Sequence, residues 1–254
     1  MKCGILYVLY DTVNKNPDQK SSSYPEELKK SISSLRKYCD LPITIYTDGN
    51  VAIKENDFDN ITVIQDTGGI SCPAHRAIGI DAPYRRPIDP TERTRSIIDQ
   101  GNFARETFKK LYFLKTMPYE TTIYVDTDTI FYDDPSKLIS KDYDLAICRD
   151  AKYSPTKKQG RLTRAFNTGF FIANRRKPFD ELIKKAIEIC ECENSGVICD
   201  QPAINQALEH VLDITIMILP QRWNVRWDIR NEIEQCDVAL HHWHFGPEYK
   251  ILDK

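Results

Sequence analysis

Two aspartates, Asp126 and Asp128, close the apolar run Ile123-Tyr124-Val125 in the stretch TTIYVDTDTIFYDD. Carboxylates one residue apart at a strand end suit a hard divalent cation, whose remaining ligands are commonly phosphate oxygens. Without such an ion the pair would be costly to place together, since no obligatory neutralising partner stands nearby in sequence. The chain has two further D-x-D pairs, Asp57-Phe-Asp59 in KENDFDN and Asp142-Tyr-Asp144 in SKDYDLAI. Both lie in polar, turn-like surroundings. Only the 126–128 pair follows directly on a strongly apolar strand, and open α/β sheets bind ligands just beyond the carboxyl ends of their strands. The plainer reading of such a pair is a turn or helix-cap cluster, and Asp133 and Asp134 read that way, as the turn before Pro135.

The elements that must position this pair alternate along the first half of the chain. Gly4 to Tyr10 is a continuous apolar run, as in a parallel strand covered on both faces. Tyr24 to Tyr38 predicts a helix, with Leu28, Ile32 and Leu35 at 3–4 spacing and Pro25 near its start. Pro42 to Thr47 and Ile61 to Ile64 predict the next strands. This order implies a mostly parallel sheet with helices on both sides. Residues 66–92 hold glycines, prolines and basic residues, and a long loop of that kind is usually functional or disordered. A helix is predicted from about Thr91 to Thr116, then the Asp126 strand. Further strands are predicted at Tyr143–Cys148 and Phe166–Ala173, helices near 178–192 and 200–210, and strand-like segments at 213–218 and 237–245. Between Cys148 and Phe166 lies RDAKYSPTKKQGRLTR, a basic segment that reads as a solvated loop or as a lid over phosphate.

Bulk properties bound the rest. The 254 residues suit one elaborated α/β domain, here read as a single domain over residues 1–254. A net charge of −2 offers no global attraction to nucleic acid or to an anionic membrane. No run approaches the roughly 18 apolar residues of a membrane span, and the apolar N-terminus lacks a signal-peptide cleavage site. The eight cysteines are scattered; Cys190, Cys192 and Cys199 lack a fourth ligand and zinc spacing. Free thiols in a reducing, cytoplasmic compartment are the expectation. No G-x-G-x-x-G loop follows the first strand, which weighs against a dinucleotide-binding dehydrogenase.

Two metal chemistries fit an apolar strand ending in D-T-D-T. YVDTDTI is similar to the hhhDxDxT motif of haloacid-dehalogenase phosphotransferases, in which Asp126 would be the nucleophile. That motif normally ends the first strand of its domain, whereas three strands are predicted before this one. The second chemistry is glycosyl transfer. KLYFLKTMPYETTIYVDTDTIF, FNTGFFIANR, DQPAINQAL, LPQRWN and HFGPEYK resemble, in the correct order, segments of the GT-A-fold glycosyltransferases, closest to the glycogenin-like and bacterial galactosyltransferase-like branch. Each segment is weak alone; five in order form a specific signal extending over most of the chain.

The resemblance implies an α/β GT-A fold with a mostly parallel central sheet and helices on both faces. It also implies roles. Asp126 and Asp128 would hold Mn²⁺ or Mg²⁺ bridging a donor diphosphate, with Thr127 beside them. A late histidine would complete the metal site, and Ala239-Leu-His241-His242-Trp-His244-Phe offers candidates. His242 and His244 share one strand face by alternation. His244 better fits the H-F-x-G-x-x-K spacing to Lys250, but Gly246 stands one place early, so His242 stays in play. An imidazole ligand favours Mn²⁺ slightly over Mg²⁺. Lys250 would meet the β-phosphate. Asp200 and Gln201 would face the sugar, and Asn167 with Gly169 would let sugar and acceptor approach the backbone. Pro202 replaces a second acid found in some members, which disfavours a covalent glycosyl-enzyme there. Lys110, with Lys109 and Arg105 as rivals, and Tyr10, Asp11 and Thr12 after the first strand would bind the nucleotide-sugar. Trp223 and Trp227, with Asn224, read equally as sugar-stacking groups or as aromatic core.

The function so read is metal-dependent transfer of a sugar from a nucleoside-diphosphate donor, UDP-linked in expectation, to a glycan, lipid or protein acceptor that the sequence does not identify. Retention is favoured over inversion. The alternatives are an Asp126-dependent phosphatase or phosphotransferase and a non-catalytic sugar-nucleotide-binding protein on the same scaffold.

Overall fold

The structure is a computed structural model, described here for residues 2–9, 24–47, 59–65, 109–150, 166–192, 200–226 and 237–242. Strand β1 (Cys3–Leu9) is followed by helix α1 (Tyr24–Leu35), then β2 (Ile43–Thr47) and β3 (Ile61–Gln65). Helix α2 is described over 109–115 and leads into β4 (Thr121–Val125) and the short β5 (Thr129–Phe131). Next come β6 (Leu145–Arg149), β7 (Phe166–Asn174), α3 (Lys177–Glu191) and α4 (Asp200–Ala207). Strands β8 (Ile216–Leu219), β9 (Val225–Arg226) and β10 (Leu240–His242) complete the series.

The main sheet has seven strands in the order β3-β2-β1-β4-β7-β6-β8. All run parallel except β7, which is antiparallel to both its neighbours. Alternation of side chains sorts the strand residues into two cores. On one face Leu6, Val8, Tyr124, Leu145, Ile147 and Phe171 pack with α2, α3 and α4 through Leu111, Leu114, Phe179, Leu182 and Ile204. On the other, Ile5, Tyr7, Ile43, Ile123, Val125, Phe170 and Ile172 pack with Leu28, Ile32 and Leu35 of α1. Helices thus cover both faces of a mostly parallel sheet. No described helix is long and apolar enough to cross a membrane.

A second, three-stranded sheet, β5-β10-β9, stands beyond the end of β4. It was not foreseen in the sequence, because its strands are two or three residues long and carry no measurable alternation. The segment expected at 237–245 joins this sheet through Leu240–His242. The strand expected at 213–218 begins only at Ile216, since Asp144 Oδ2 accepts from the Thr215 backbone N–H at 2.9 Å and ends the turn before it. Helix α4 stops at Ala207, short of 210, and α1 at Leu35, with a turn continuing to Tyr38. The 66–92 loop and most of the basic 149–164 segment lie outside the described residues.

Candidate active site

The reversed direction of β7 builds the site. Val125 at the end of β4 pairs with Phe170, and the Asp126 backbone N–H donates to Gly169 O at 2.8 Å. The start of β7, Asn167-Thr168-Gly169, therefore lies beside Asp126 rather than at the far edge of the sheet. Helix α4 is fixed to the same strand end. Asn205 Oδ1 accepts from the Phe166 N–H at 2.8 Å, and its Nδ2 donates to Phe166 O at 2.9 Å. This brings Asp200 and Gln201, at the start of α4, against Thr168. The second sheet contributes from the opposite side. His242 pairs with Thr129 across β10 and β5, which puts its ring next to Asp128.

His242 Nε2 lies 3.2 Å from Asp128 Oδ1 and 3.8 Å from Asp126 Oδ2. Potential ligand atoms of Asp126, Asp128 and His242 all fall within 4.8 Å of one another. Burial would lower the His242 pKa, but Asp128 and then Asp126 outweigh it and hold the imidazole above its ordinary value. The pocket for the ring is closed by Gly169. A Cβ there would stand 2.3 Å from His242 Cε1 and 2.9 Å from Asp126 Oδ2, so only glycine admits both groups.

On the other side of Asp126, Lys110 is buried in a ring of acceptors. Its ammonium lies 3.3 Å from Asp126 Oδ1, 2.9 Å from Asp200 Oδ2 and 2.7 Å from the Thr168 carbonyl. It also sits 4.0 Å from the centre of the Tyr124 ring. Burial would lower its pKa, yet Asp126 and Asp200 raise it further, so it stays a cation. All three of its N–H donors are engaged within the protein. Asp126 Oδ1 also accepts from the Tyr124 hydroxyl at 2.7 Å, and Asp200 Oδ2 from Thr168 Oγ1 at 2.8 Å. Asp200 begins the helix and spends its carboxylate on Lys110 and Thr168.

Gln201 accepts from the Thr168 N–H at 3.3 Å and donates to Asp150 Oδ2 at 3.0 Å, while Arg226 holds Asp150 Oδ1 at 3.0 Å. Asp150 and Arg226 were missed at the level of sequence. The signal was present: Asp150 directly follows the apolar β6, as Asp126 follows β4. Asn167 is buried and linked to Asn224, which in turn meets His242. Thr127 lies half-buried between the two aspartates. Trp223 is core rather than a sugar platform: it is 4% exposed and stacks on Phe170 with ring centres 6.0 Å apart. Asp134 and Asp133 form the expected turn. Asp134 caps Pro135–Leu138, and Asp133 pairs with Lys137 at 2.7 Å and Arg222 at 3.4 Å. Tyr10, Asp11, Thr12, Arg105, Trp227, His244 and Lys250 lie outside the described residues.

Residues 120–244 match the nucleotide-diphospho-sugar transferase family, a span that contains every acidic, amide and imidazole group of this site. The fold is shared with the galactosyltransferase LgtC, solved with donor and acceptor sugar analogs. That likeness has a TM-score of 0.59 at 15% identity, covering 96% of this chain and 87% of LgtC. The chain has the fold of the GT-A glycosyltransferases, and its residues 120–244 match the sugar-nucleotide family. Two other glycosyltransferase structures share the fold. GlyE of Streptococcus pneumoniae TIGR4 gives a TM-score of 0.56 at 16% identity, covering 95% of this chain and 55% of GlyE. Mouse xyloside xylosyltransferase 1 gives 0.53 at 11% identity, with 96% and 98% covered. No curated protein matches by sequence. For this glycosyltransferase the phosphoryl-transfer reading of Asp126 falls away. Its strand is the fourth among the described residues and pairs with β1 and the antiparallel β7, and the family match is to sugar-nucleotide enzymes.

Proposed function

We propose that this glycosyltransferase is a single GT-A domain that moves a sugar from a UDP-linked donor to an acceptor with a divalent ion, Mn²⁺ before Mg²⁺, and with retention. The observation that carries the reading is the convergence of Asp126, Asp128 and His242, with ligand atoms within 4.8 Å of one another, beside the Asp200–Gln201 helix start. The donor set fits an ion. Two carboxylate oxygens and an imidazole nitrogen face one point, and Gly169 leaves the room that a Cβ would fill. When bound, the ion would offset the charge developing on the departing diphosphate.

The protein's own residues supply the rest. Lys110 holds Asp126 and Asp200 at fixed separation; with its donors engaged, it acts by positioning and not by touching phosphate. Gln201 is fixed through its carbonyl and one N–H, which leaves its second N–H for the donor sugar. Asp150 is held by Gln201 and Arg226, so its carboxylate is a poor nucleophile. With Pro202 in place of a second acid, a front-face route in which the leaving diphosphate helps deprotonate the acceptor is favoured. Tyr10, Asp11 and Thr12 would meet the base and ribose, and Arg105 and Lys250 the phosphates. The described cysteines, Cys3, Cys39, Cys148, Cys190 and Cys192, are unbridged, which supports a reducing, cytoplasmic setting.

The test is release of UDP from a panel of UDP-sugars with and without Mn²⁺. Slow hydrolysis that requires the ion and is lost in Asp126→Ala supports the reading. Turnover indifferent to chelation, or unchanged in Asp126→Ala, overturns it. A donor-derived anomeric proton followed by NMR reports retention or inversion.

A further inference from the structure

The polar contacts behind His242 form a ladder whose direction is fixed from one end. The Gly169 backbone N–H can only donate, and it reaches Asn167 Oδ1 at 2.9 Å. That atom of Asn167 is therefore the carbonyl oxygen, and the Asn224 atom 2.7 Å from it must be the amino nitrogen. The other end of the Asn224 amide is then its oxygen, which stands 3.1 Å from His242 Nδ1 and can only accept. When Nε2 is given to a cation, the hydrogen of the neutral His242 ring therefore stands on Nδ1, donated to Asn224. Its bare Nε2 then faces Asp128 Oδ1 and Asp126 Oδ2, 3.2 and 3.8 Å away. All three side chains of the ladder are buried: Asn224 is 0% exposed, Asn167 5% and His242 5%. Water therefore does not substitute readily for a missing member.

We infer that Asn224 and Asn167 are positioning residues that fix the tautomer of His242, committing Nε2 to a metal cation and giving the site its preference for an imidazole-accepting ion. The opposite tautomer would set a bare Nδ1 against the Asn224 oxygen. It would also point an N–H at Asp128, satisfying the carboxylate without an ion and closing the site to one. The ladder opposes that arrangement, because it would leave the Asn224 oxygen against a bare Nδ1. A site with one nitrogen donor discriminates toward Mn²⁺ and later transition ions and against Ca²⁺ and Mg²⁺, which take oxygen. Outer hydrogen bonds of this kind typically change metal affinity 10–100-fold. The inference deepens the proposed metal site and rests on it only for the ion, not for the tautomer.

Two measurements separate these. In metal-free protein labelled with ¹⁵N-histidine, long-range ¹H–¹⁵N correlation at alkaline pH reads the tautomer directly. The His242 signal is identified by its loss in His242→Gln among the five histidines. The Nδ1–H form is expected, and an Nε2–H form overturns the ladder. Separately, Mn²⁺ binding is followed by the loss of the free-ion EPR signal. Asn224→Leu is expected to weaken it about tenfold or more. Asn167→Asp, whose carboxylate still accepts from both Gly169 and Asn224, should stay close to wild type. Wild-type affinity in a folded Asn224→Leu protein overturns the inference, as does a loss in Asn167→Asp equal to that in Asn224→Leu. If Asn224→Leu does not fold, the tautomer spectrum and the comparison of Asn167→Asp with Asn167→Leu decide in its place. Failure of wild type to bind Mn²⁺ at all would remove the proposed metal function while leaving the tautomer result standing.

Discussion

The ammonium of Lys110 lies 2.9 Å from Asp200 Oδ2, with both side chains almost wholly withdrawn from solvent. Because the same ammonium also reaches Asp126, one buried cation ties the strand that ends in the aspartate pair to the start of helix α4. Removing one partner from such a cluster leaves the others charged and unpaired. Lys110→Met should therefore lower unfolding stability by about 3–5 kcal/mol, read from urea denaturation. Lys110→Arg keeps the charge and should lose less.

Gly169→Ala tests the close approach of His242 and Asp126 to the β7 backbone. The added methyl meets His242 and Asp126, and His242 is held from behind by Asn224. Overpacking of this kind costs roughly 1–3 kcal/mol. The expected outcome is a modest fall in melting temperature and a much larger relative loss of Mn²⁺ affinity, measured by titration of the same sample.

A chain of buried hydroxyls supports the aspartate turn from below. Tyr7 Oη and Ser31 Oγ are 2.9 Å apart, Ser31 Oγ and Thr129 Oγ1 2.8 Å, and Thr129 Oγ1 donates to the Asp126 carbonyl at 3.0 Å. Thr129→Val keeps the shape and removes the link, leaving buried polar groups without their partner at a cost of about 1–3 kcal/mol. Ser31→Ala should cost a similar amount, and the double variant less than the sum, because the two side chains share one bond.

The raised pKa of His242 gives the metal-free protein a definite pH response. A group whose folded pKa lies above its unfolded value of about 6.5 contributes stability in full below that value. The contribution is lost as pH rises through the folded value. Metal-free protein should lose melting temperature across that window, while Mn²⁺ affinity rises across it because ion and proton compete for Nε2. His242→Gln should abolish both trends. Flat profiles in the wild-type protein would count against the electrostatic description of the site.

Thiol labelling checks the core. Burial pushes Cys148 up to about 12, so native protein treated with iodoacetamide near pH 8 should stay unmodified at this residue while exposed Cys192 is alkylated. Peptide mass spectrometry reads both.

What the sequence disclosed and what it hid follow physical lines. Leu6, Ile45, Ile123 and Phe171 lie in apolar runs, and Leu28, Ile32 and Leu35 recur at helical spacing, so the layers of the main sheet could be read directly. Asp126, Asp128, Asp200 and Gln201 stood out as polar groups at element ends, and the fold brings all four together. Asp150 was legible in the same way and was passed over, because it stands alone rather than in a pair. His242 was the weaker choice by motif spacing, and β10 sets its ring beside Asp128, whereas His244, the preferred choice, lies outside the described residues. Lys110 was singled out as a donor-binding cation, but no local pattern shows that its three donors are consumed by Asp126, Asp200 and Thr168. Contacts among residues far apart in sequence leave no periodic trace.

The reversed strand β7 has a consequence in time as well as in space. During synthesis Asp126 and Asp128 emerge well before Asn167 and Gly169, and His242 later still. No contiguous fragment of the chain that stops short of β10 contains all three groups of the cradle. On the proposed function, the three-residue site for an ion would therefore be completed only when the small second sheet has docked.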